Sequence, residues 1–349
     1  MQHPKRFPVV LAVVTVVALI ASGCGSDDIA AEPECPTITL ATHDSFALSD
    51  GTLDAFTEQS CVGVNLVASG DAGQLVSAAI LTVDNPTADV LFGVDNALLN
   101  RALDVGIFDE YRSPALDSVS DDLELDDRVT PISYGDVCVN YWTDALPGSV
   151  PTSLDDLIDP VNAGQFVTQD PETSSPGFAF LLATIAKYGE DGWEQYWQDL
   201  VANDVTITSG WSDAYYGEFT AGGGDRAIVT SYASSPAVGA IFAEEQPVTS
   251  VPTGVLDDSC FRQIEFAGIL EGSAYPKASR KLIDFMLSRT YQDDIPGNMF
   301  VYPALNGAVL PDEFEQFNRI VADPLILDPD EIEENRERWT ARWREIVLG

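Results

Sequence analysis

The stretch TITLATHDSFALSDGTLDAFTEQSCVGVNLV, residues 37–67, decides the fold class. TITLA at 37–41 and VGVNLV at 62–67 are short apolar runs of the kind that form strands, and Thr52–Gln59 between them has a helical pattern. A third strand, ADVLFGV at 88–94, continues the alternation after another helical segment. Strand–helix–strand repeats of this kind predict a parallel sheet in an α/β fold.

A second alternation of strands and helices follows, with strands predicted at 164–170, 205–208 and 226–232. Two extended stretches, near 131–142 and 257–269, separate the two alternating regions. Two α/β lobes joined by two extended crossings predict a hinged molecule with a ligand cleft between the lobes. We predict that lobe 1 consists of residues 36–131 and 262–349. Lobe 2, together with the hinge strands, is predicted to consist of residues 132–261.

The N-terminus has the pattern of a bacterial lipoprotein signal. Lys5 and Arg6 precede the apolar run Val9–Ile20, and small residues follow before Cys24. We therefore expect a signal peptide at 1–23, a lipidated Cys24 and a polar tether at 24–35, which together would hold an exported domain at the outer face of the cytoplasmic membrane or in the periplasm. A plain signal peptide and an N-terminal anchor helix are the alternatives.

The chain is strongly acidic, with 56 Asp and Glu against 17 Lys and Arg and a formal net charge of −39. This balance argues against nucleic-acid binding and allows the attraction of a cationic ligand. A highly solvated surface adapted to salt would explain the same acidity.

Four cysteines besides Cys24 predict two disulfides in an exported chain. Cys35 and Cys61 precede neighbouring strands and are paired on that ground, which leaves Cys138 with Cys260 at the two crossings. The sequence has no CxxC motif, so neither a zinc site nor any other metal site is expected.

Polar and aromatic residues follow the predicted strands where they end. In open α/β sheets, ligands bind beyond the carboxyl ends of the strands. The serines that precede Pro176 and Pro236 would also serve as helix caps, or would offer helix N–H groups to an anion. The candidates in chain order are Asp44, Ser45, Asp95, Asn96, Ser174, Ser175, Trp211, Tyr232 and Ser234.

The segment GWSDAYYGEF, residues 210–219, combines aromatic rings with carboxylates. Read as a helix from Ser212, it places Trp211, Tyr215 and Glu218 roughly on one face. Rings and an acid that face a cleft would suit a flat organic cation, whereas rings that face inward would be ordinary core. Nothing around His43 supports a Ser–His–Asp triad, so no catalysis is predicted.

Six motifs carry a resemblance that covers roughly residues 37–345. In order and spacing they resemble the thiamine-binding periplasmic proteins of bacterial ABC transporters. The resemblance implies a type II periplasmic binding fold that binds thiamine or thiamine phosphates between its lobes, needs no cofactor, and delivers its ligand as a monomer to a permease with its ATPase. The motifs are THDSF (42–46), GVDNALL (93–99), TQDPETSSPG (168–177), GWSDAYYGEF (210–219), SYASSPAV (231–238) and IPGNMFVYPA (295–304).

The resemblance also implies roles for the candidates. Asp44 would meet the cation or the pyrimidine amine, and the rings of Trp211, Tyr215 and Tyr232 would form walls. The sequence departs from the family in having His43 where Tyr is frequent, no ring at 47–51, and Phe300 in place of Trp. These departures leave thiamine derivatives and a pyrimidine precursor open as ligands. Ser45 and Phe300 join the predicted site, and Ser174, Ser175 and Ser234 would bind polar or phosphate groups, with Asp95 and Asn96 as further contacts.

Two rival functions use the same fold. A ferric-iron binder would use the adjacent Tyr215 and Tyr216, because phenolates and carboxylates suit a hard cation. A thiaminase-like enzyme would need a cysteine thiolate, and Cys138 near the hinge is the candidate nucleophile. A disulfide between Cys138 and Cys260 would remove that thiolate.

Overall fold

A computed structural model describes residues 35–243, 247–318 and 320–349. The predicted signal peptide, Cys24 and most of the predicted tether lie outside the described residues. No helix within the described ranges is long and apolar enough to span a membrane. The strands are β1 (Thr37–Thr42), β2 (Gly63–Ala68), β3 (Val90–Asp95), β4 (Thr130–Trp142), β5 (Phe166–Gln169), β6 (Thr206–Thr208), β7 (Ile228–Tyr232), β8 (Thr253–Ile269) and β9 (Tyr302–Pro303).

The order of the helices is α1 (Thr52–Ser60), α2 (Ala72–Leu81), α3 (Leu99–Val105), α4 (Ser175–Tyr188), α5 (Trp193–Ala202), α6 (Ser235–Ile241), α7 (Pro276–Met286), α8 (Arg289–Gln292), α9 (Ile295–Asn298), α10 (Asp312–Phe317) and α11 (Pro329–Val347). The helices alternate with the strands through β1–β3, whereas α4 and α5, and then α7, α8 and α9, follow one another without an intervening strand.

The strands form one mixed sheet with the order β2-β1-β3-β8-β4-β7-β5-β6, and β9 pairs with β4. β1 is parallel to both β2 and β3, and β5 is parallel to both β6 and β7. Between these two parallel groups, β4 and β8 pair antiparallel with each other. The two predicted crossings are therefore neighbouring central strands, and this arrangement is the α/β fold with a cleft that the alternation predicts.

Two disulfides join strands that lie side by side. Cys138 on β4 is bonded to Cys260 on β8, and Cys35 is bonded to Cys61, just before the starts of β1 and β2. The structure thus brings together both pairs predicted from the sequence. The Cys138–Cys260 bond fastens the two central strands to each other at the join between the two parallel groups.

Helix α11 packs on the half of the molecule that contains β5–β7. Its Trp343 is fully buried, and its ring lies edge-on to that of Trp197 on α5 at a centroid distance of 5.6 Å. Arg338 on α11 also pairs with Glu190 just before α5. Helix α11 touches α3 as well. The last helix of the predicted lobe 1 segment 262–349 therefore packs on the other half of the molecule. The exact lobe boundaries stay a prediction.

Candidate functional site

A cavity of about 280 Å³ lies between the β1–β3 half and the β5–β7 half. Its walls come from the loop after β1, the starts of α2, α4 and α6, the segment after β6, the middle of β8, and the loop after α9. The carboxyl ends of β1, β6 and β7 meet it, as expected for an open α/β sheet. Eight of the predicted site residues line it: Asp44, Ser45, Ser175, Trp211, Tyr215, Tyr232, Ser234 and Phe300.

The aromatic wall is built on a π-helical segment, Asp213–Glu218, where the sequence predicts an ordinary helix. The N–H of Phe219 donates to the carbonyl of Ala214, five residues back, at 2.9 Å. The wider turn lets Tyr215 and Tyr216 both line the cavity with Trp211, whereas Glu218 does not line it. Single π turns inside helices are frequent at functional sites.

Trp211 is the centre of this wall. Its ring stacks on Tyr215 at 4.9 Å and lies edge-on to Tyr216 at 5.3 Å and to Tyr232 at 6.4 Å. The indole N–H donates to the Ser231 hydroxyl at 3.0 Å, which fixes the orientation of the ring. Four rings held by mutual contact present a preformed π surface to a ligand.

Carboxylates line the same cavity as the rings. Asp71 and Asp44 line the cavity, and Asp71 caps α2 by accepting from the Ala72 N–H at 2.6 Å. Its second oxygen accepts from the N–H of Trp211 at 2.9 Å. Burial raises the pKa of Asp44, and the negative charge of Asp71 raises it further. A cation in the cavity would relieve this repulsion.

A buried histidine–carboxylate pair forms another part of the wall. His43 Nε2 lies 3.4 Å from Glu265 Oε1, and Glu265 Oε2 accepts from the Ser133 hydroxyl at 2.8 Å. Burial alone would lower the pKa of His43, but the carboxylates of Glu265, Asp71 and Asp44 together outweigh burial and raise it. Conversely, burial would raise the pKa of Glu265, but His43 lowers it. Gly93, at φ 113°, leaves room for the imidazole, since a Cβ there would lie 2.5 Å from His43 Cδ2.

Three predicted site residues, Asp95, Asn96 and Ser174, do not line the cavity. The side chain of each is hydrogen-bonded to other protein groups instead. Asp95 lies behind the wall, bonded to the Ser175 hydroxyl and to Gln263 Nε2. The Asn96 amide pairs with the backbone of β8 on either side of Gln263. Ser174 is fully buried and accepts from the N–H of Gly177 as the cap of α4.

Phe300 reaches the cavity from a strained backbone. Its φ of 60° lies in the left-handed region, which a bulky residue rarely adopts. Its ring lies edge-on to that of Phe242 at 5.6 Å. Strain of this kind is concentrated at functional sites, and here it holds an aromatic ring against the cleft.

Several wall residues were missed by the sequence reasoning. Asp71 follows the end of β2, so the rule that selected the other candidates applies to it too. Gln263 and Glu265 are polar residues two apart in the otherwise apolar strand β8, and that spacing places both on one face. His43 lies directly beside the predicted Asp44. The further missed wall residues are Phe46, Ala47, Ala72, Pro176, Ser212, Val238, Asn298, Met299 and Val301. Ser235 and Tyr216, which the sequence suggested only as a helix cap or anion donor and as an iron ligand, also line the cavity.

The two rival chemistries fit this site less well. Cys138 is bonded to Cys260 and offers no thiolate for a thiaminase-like attack. Burial and the neighbouring Tyr216 raise the pKa of Tyr215 to about 12, and burial also raises that of Tyr216, so both phenols carry their proton in the free protein. Within the described ranges, no group of three His, Cys, Asp or Glu side chains is placed to hold a metal ion.

A likeness to known proteins agrees with this geometry. Residues 85–323 match the family of bacterial extracellular solute-binding proteins. The chain is 32% identical over 317 residues to the thiamine-binding periplasmic protein of Escherichia coli (strain K12), covering 89% of this chain and 94% of that protein. The solved structure of a periplasmic thiamin binding protein superposes with a TM-score of 0.79 at 32% identity, over 89% of this chain and 96% of that one.

The same fold occurs in more distant binding proteins. Iron-bound HitA from Pseudomonas aeruginosa superposes with a TM-score of 0.70 at 22% identity, over 89% of this chain and 99% of that one, a likeness of fold alone. This protein belongs to the family of bacterial extracellular solute-binding proteins. Within that family it is similar to the thiamine-binding periplasmic proteins, with the type II periplasmic binding fold, as the six sequence motifs predict.

Proposed function

We propose that this protein captures thiamine in the cleft and delivers it to an ABC permease with its ATPase. The observation that carries the proposal is the pairing of four aromatic rings with carboxylates around one small cavity. Thiamine joins a permanently charged, flat thiazolium to an aminopyrimidine. Each ring that meets a cation face-on contributes about 0.5–2 kcal/mol, according to how far the contact is desolvated.

Carboxylates supply the second half of the recognition. Asp44 and Asp71 give the charge complement of the thiazolium, and a carboxylate also accepts hydrogen bonds from an exocyclic amine. The eight predicted residues that line the cavity are proposed as ligand contacts. The function is binding and delivery rather than catalysis, as is general for the substrate-binding relatives of this chain.

A calorimetric titration with thiamine tests this function. The protein is first unfolded and refolded with its disulfides intact, so that any carried ligand is removed. We expect saturable one-to-one binding with quenching of tryptophan fluorescence, and loss of at least about tenfold in affinity in Trp211→Ala. Trp142→Phe is the control, since Trp142 does not line the cavity and phenylalanine keeps an aromatic ring against Phe219, which supports Tyr215. Absence of heat and of quenching with thiamine would remove it as the ligand.

We further propose that the chain is exported and anchored through a lipidated Cys24 as a monomer. The support is the basic start, the apolar run and the small residues before Cys24. In a bacterial host, Cys24→Ser is expected to lose lipid labelling with a radioactive fatty acid. Equal labelling of the unchanged protein and the variant would contradict the anchor.

A further inference from the structure

We propose that Phe242 is a positioning residue that retains the ligand by holding the ring of Phe300 against the cavity. This inference rests on the proposed function and assigns one further residue to its site. Phe242 does not itself line the cavity, whereas Phe300 does. The two rings meet edge-on at a centroid distance of 5.6 Å and an interplanar angle of 77°. Edge-on contact is one of the favourable arrangements of two aromatic rings.

Phe242 stands beside the cavity rather than in the core. Val238, one turn earlier on the same helix, lines the cavity, and its carbonyl accepts from the N–H of Phe242 at 3.1 Å. Residues four apart lie on the same face of a helix, so Phe242 continues the face that Val238 turns to the ligand. Phe242 is 67% exposed. Truncation of its side chain is therefore expected to leave the fold intact.

Exposed aromatic side chains are concentrated at this cavity. Among the Phe, Tyr and Trp residues that the structure describes, only Tyr216 and Phe242 are exposed. Tyr216 lines the cavity, and Phe242 touches the ring of Phe300, which also lines it. Single exposed apolar side chains are common on protein surfaces, but here both exposed rings belong to one site. Their placement indicates a role in ligand binding rather than in packing.

Phe300 is held by the half of the molecule opposite to that of Phe242. It follows α9, which is tied to the loop after β1: Asn298 Nδ2 donates to the Ser49 hydroxyl at 3.1 Å, and Asp294 Oδ2 accepts from the N–H of Ser49 at 2.8 Å. Phe242 directly follows α6, in the half that contains β5–β7. The contact between the two rings therefore depends on the approach of the two halves.

A contact of this kind affects the release of the ligand more than its capture. A ligand enters and leaves an enclosed cavity only while the halves are apart, when the rings of Phe242 and Phe300 do not touch. Dissociation therefore requires the ring contact to break, whereas association precedes its formation. Loss of the contact should raise the dissociation rate constant and leave the association rate constant unchanged.

Stopped-flow mixing with thiamine, followed by tryptophan fluorescence, tests the inference because it yields both rate constants. We expect Phe242→Ala to raise the dissociation rate constant roughly two- to tenfold, the range of a single aromatic pair, and to keep the association rate constant within about twofold. Phe242→Tyr retains the ring and should restore slow dissociation.

Leu81→Ala is the matched control for the loss of an exposed apolar side chain. Leu81 is the last residue of α2, is 85% exposed and does not line the cavity. Both rate constants should stay as in the unchanged protein. If dissociation from Phe242→Ala is as slow as from Leu81→Ala, the inference is overturned. It is also overturned if Phe242→Ala slows association and leaves dissociation unchanged.

A double-mutant cycle separates positioning from a direct contact with the ligand. If Phe242 acts through the ring of Phe300, then Phe242→Ala should have little further effect on dissociation in a Phe300→Leu background, since the ring to be held is absent. Effects that multiply in the double variant would show that the two residues act independently, and would overturn the inference.

The outcomes distinguish this inference from the proposed function. Thiamine binding with unaltered rate constants in Phe242→Ala overturns only the role of Phe242. Failure of thiamine to bind the unchanged protein overturns the proposed function, and the role of Phe242 in retaining thiamine falls with it.

Discussion

Asp44 links ligand affinity to pH. Burial and the charge of Asp71 raise its pKa in the free protein, with Asp213 adding to the effect and His43 opposing it. A bound cation favours the ionised carboxylate, so binding requires loss of any proton that Asp44 holds. Affinity for thiamine should therefore be full above the pKa of Asp44 in the free protein and should weaken as the pH falls through it.

The variant Asp44→Asn isolates this effect. We expect it to bind thiamine roughly tenfold more weakly at neutral pH and to lose most of the acid-side decline. His43→Gln is the necessary control, since protonation of His43 also makes the cleft less negative as the pH falls. Titrations from pH 7 downward decide the point: an unchanged acid-side decline in Asp44→Asn would assign the pH dependence to the other groups.

At the scale of elements, the alternation of strands and helices was predictable because each element has its own apolar pattern. The crossing strands β4 and β8 were also predictable as extended stretches. That β4 and β8 lie next to each other in the sheet was harder to predict, because strand pairing depends on contacts between residues far apart in the chain. The placement of Cys138 and Cys260 was the one local clue to that pairing.

The π-helical segment shows where pattern reading stops. An ordinary helix from Ser212 places Trp211, Tyr215 and Glu218 on one face, by the usual spacing of three and four residues. The wider turn keeps Trp211 and Tyr215 on the wall but replaces Glu218 with Tyr216. The sequence does not indicate a hydrogen bond from residue i+5 to residue i, because the same residues are compatible with an α-helix and with a π-helix. The extra ring in the wall therefore needed the structure.

The residues of the cavity wall also differ in how far the sequence alone could predict their positions. Asp44 and Trp211 follow strand ends and Tyr232 ends β7, and all three line the cavity. Asp95 ends β3 and Ser175 begins α4, yet their side chains bond to each other across the cleft. A sequence shows which polar side chains reach the cleft region, but not which of them partner one another there. Tertiary pairing decides which side chains are left for a ligand.

At the scale of the whole molecule, the two halves meet beside the cavity. Asp71, which begins α2, accepts from the N–H of Trp211 in the other half. The N–H of Gln74 donates to the carbonyl of Thr173 across the same gap at 3.2 Å. Gly73 permits this approach, because a Cβ there would lie 2.7 Å from the Thr173 carbonyl oxygen. The contact is therefore a backbone-to-backbone closure that only glycine allows.

Gly73→Ala is the sharpest test of this closure. Alanine favours the helical backbone of α2, so helix propensity alone would leave the free protein at least as stable as the unchanged one. The added methyl group hinders the close approach of α2 to Thr173, because a backbone carbonyl cannot move aside as the end of a flexible side chain can. We expect thiamine affinity to fall by about tenfold or more, and the ligand-induced decrease in radius of gyration, measured by small-angle X-ray scattering, to diminish.

The matched control is Gly239→Ala, another helical glycine, where a Cβ would meet nothing nearer than Thr253 Oγ1 at 3.9 Å. It carries the same gain in helix propensity without touching the closure contact, so affinity and compaction should stay as in the unchanged protein. If Gly73→Ala binds thiamine and compacts as fully as Gly239→Ala does, the α2–Thr173 contact has no part in capture. If only Gly73→Ala loses both, the approach of the two halves at Gly73 is the step that encloses the ligand.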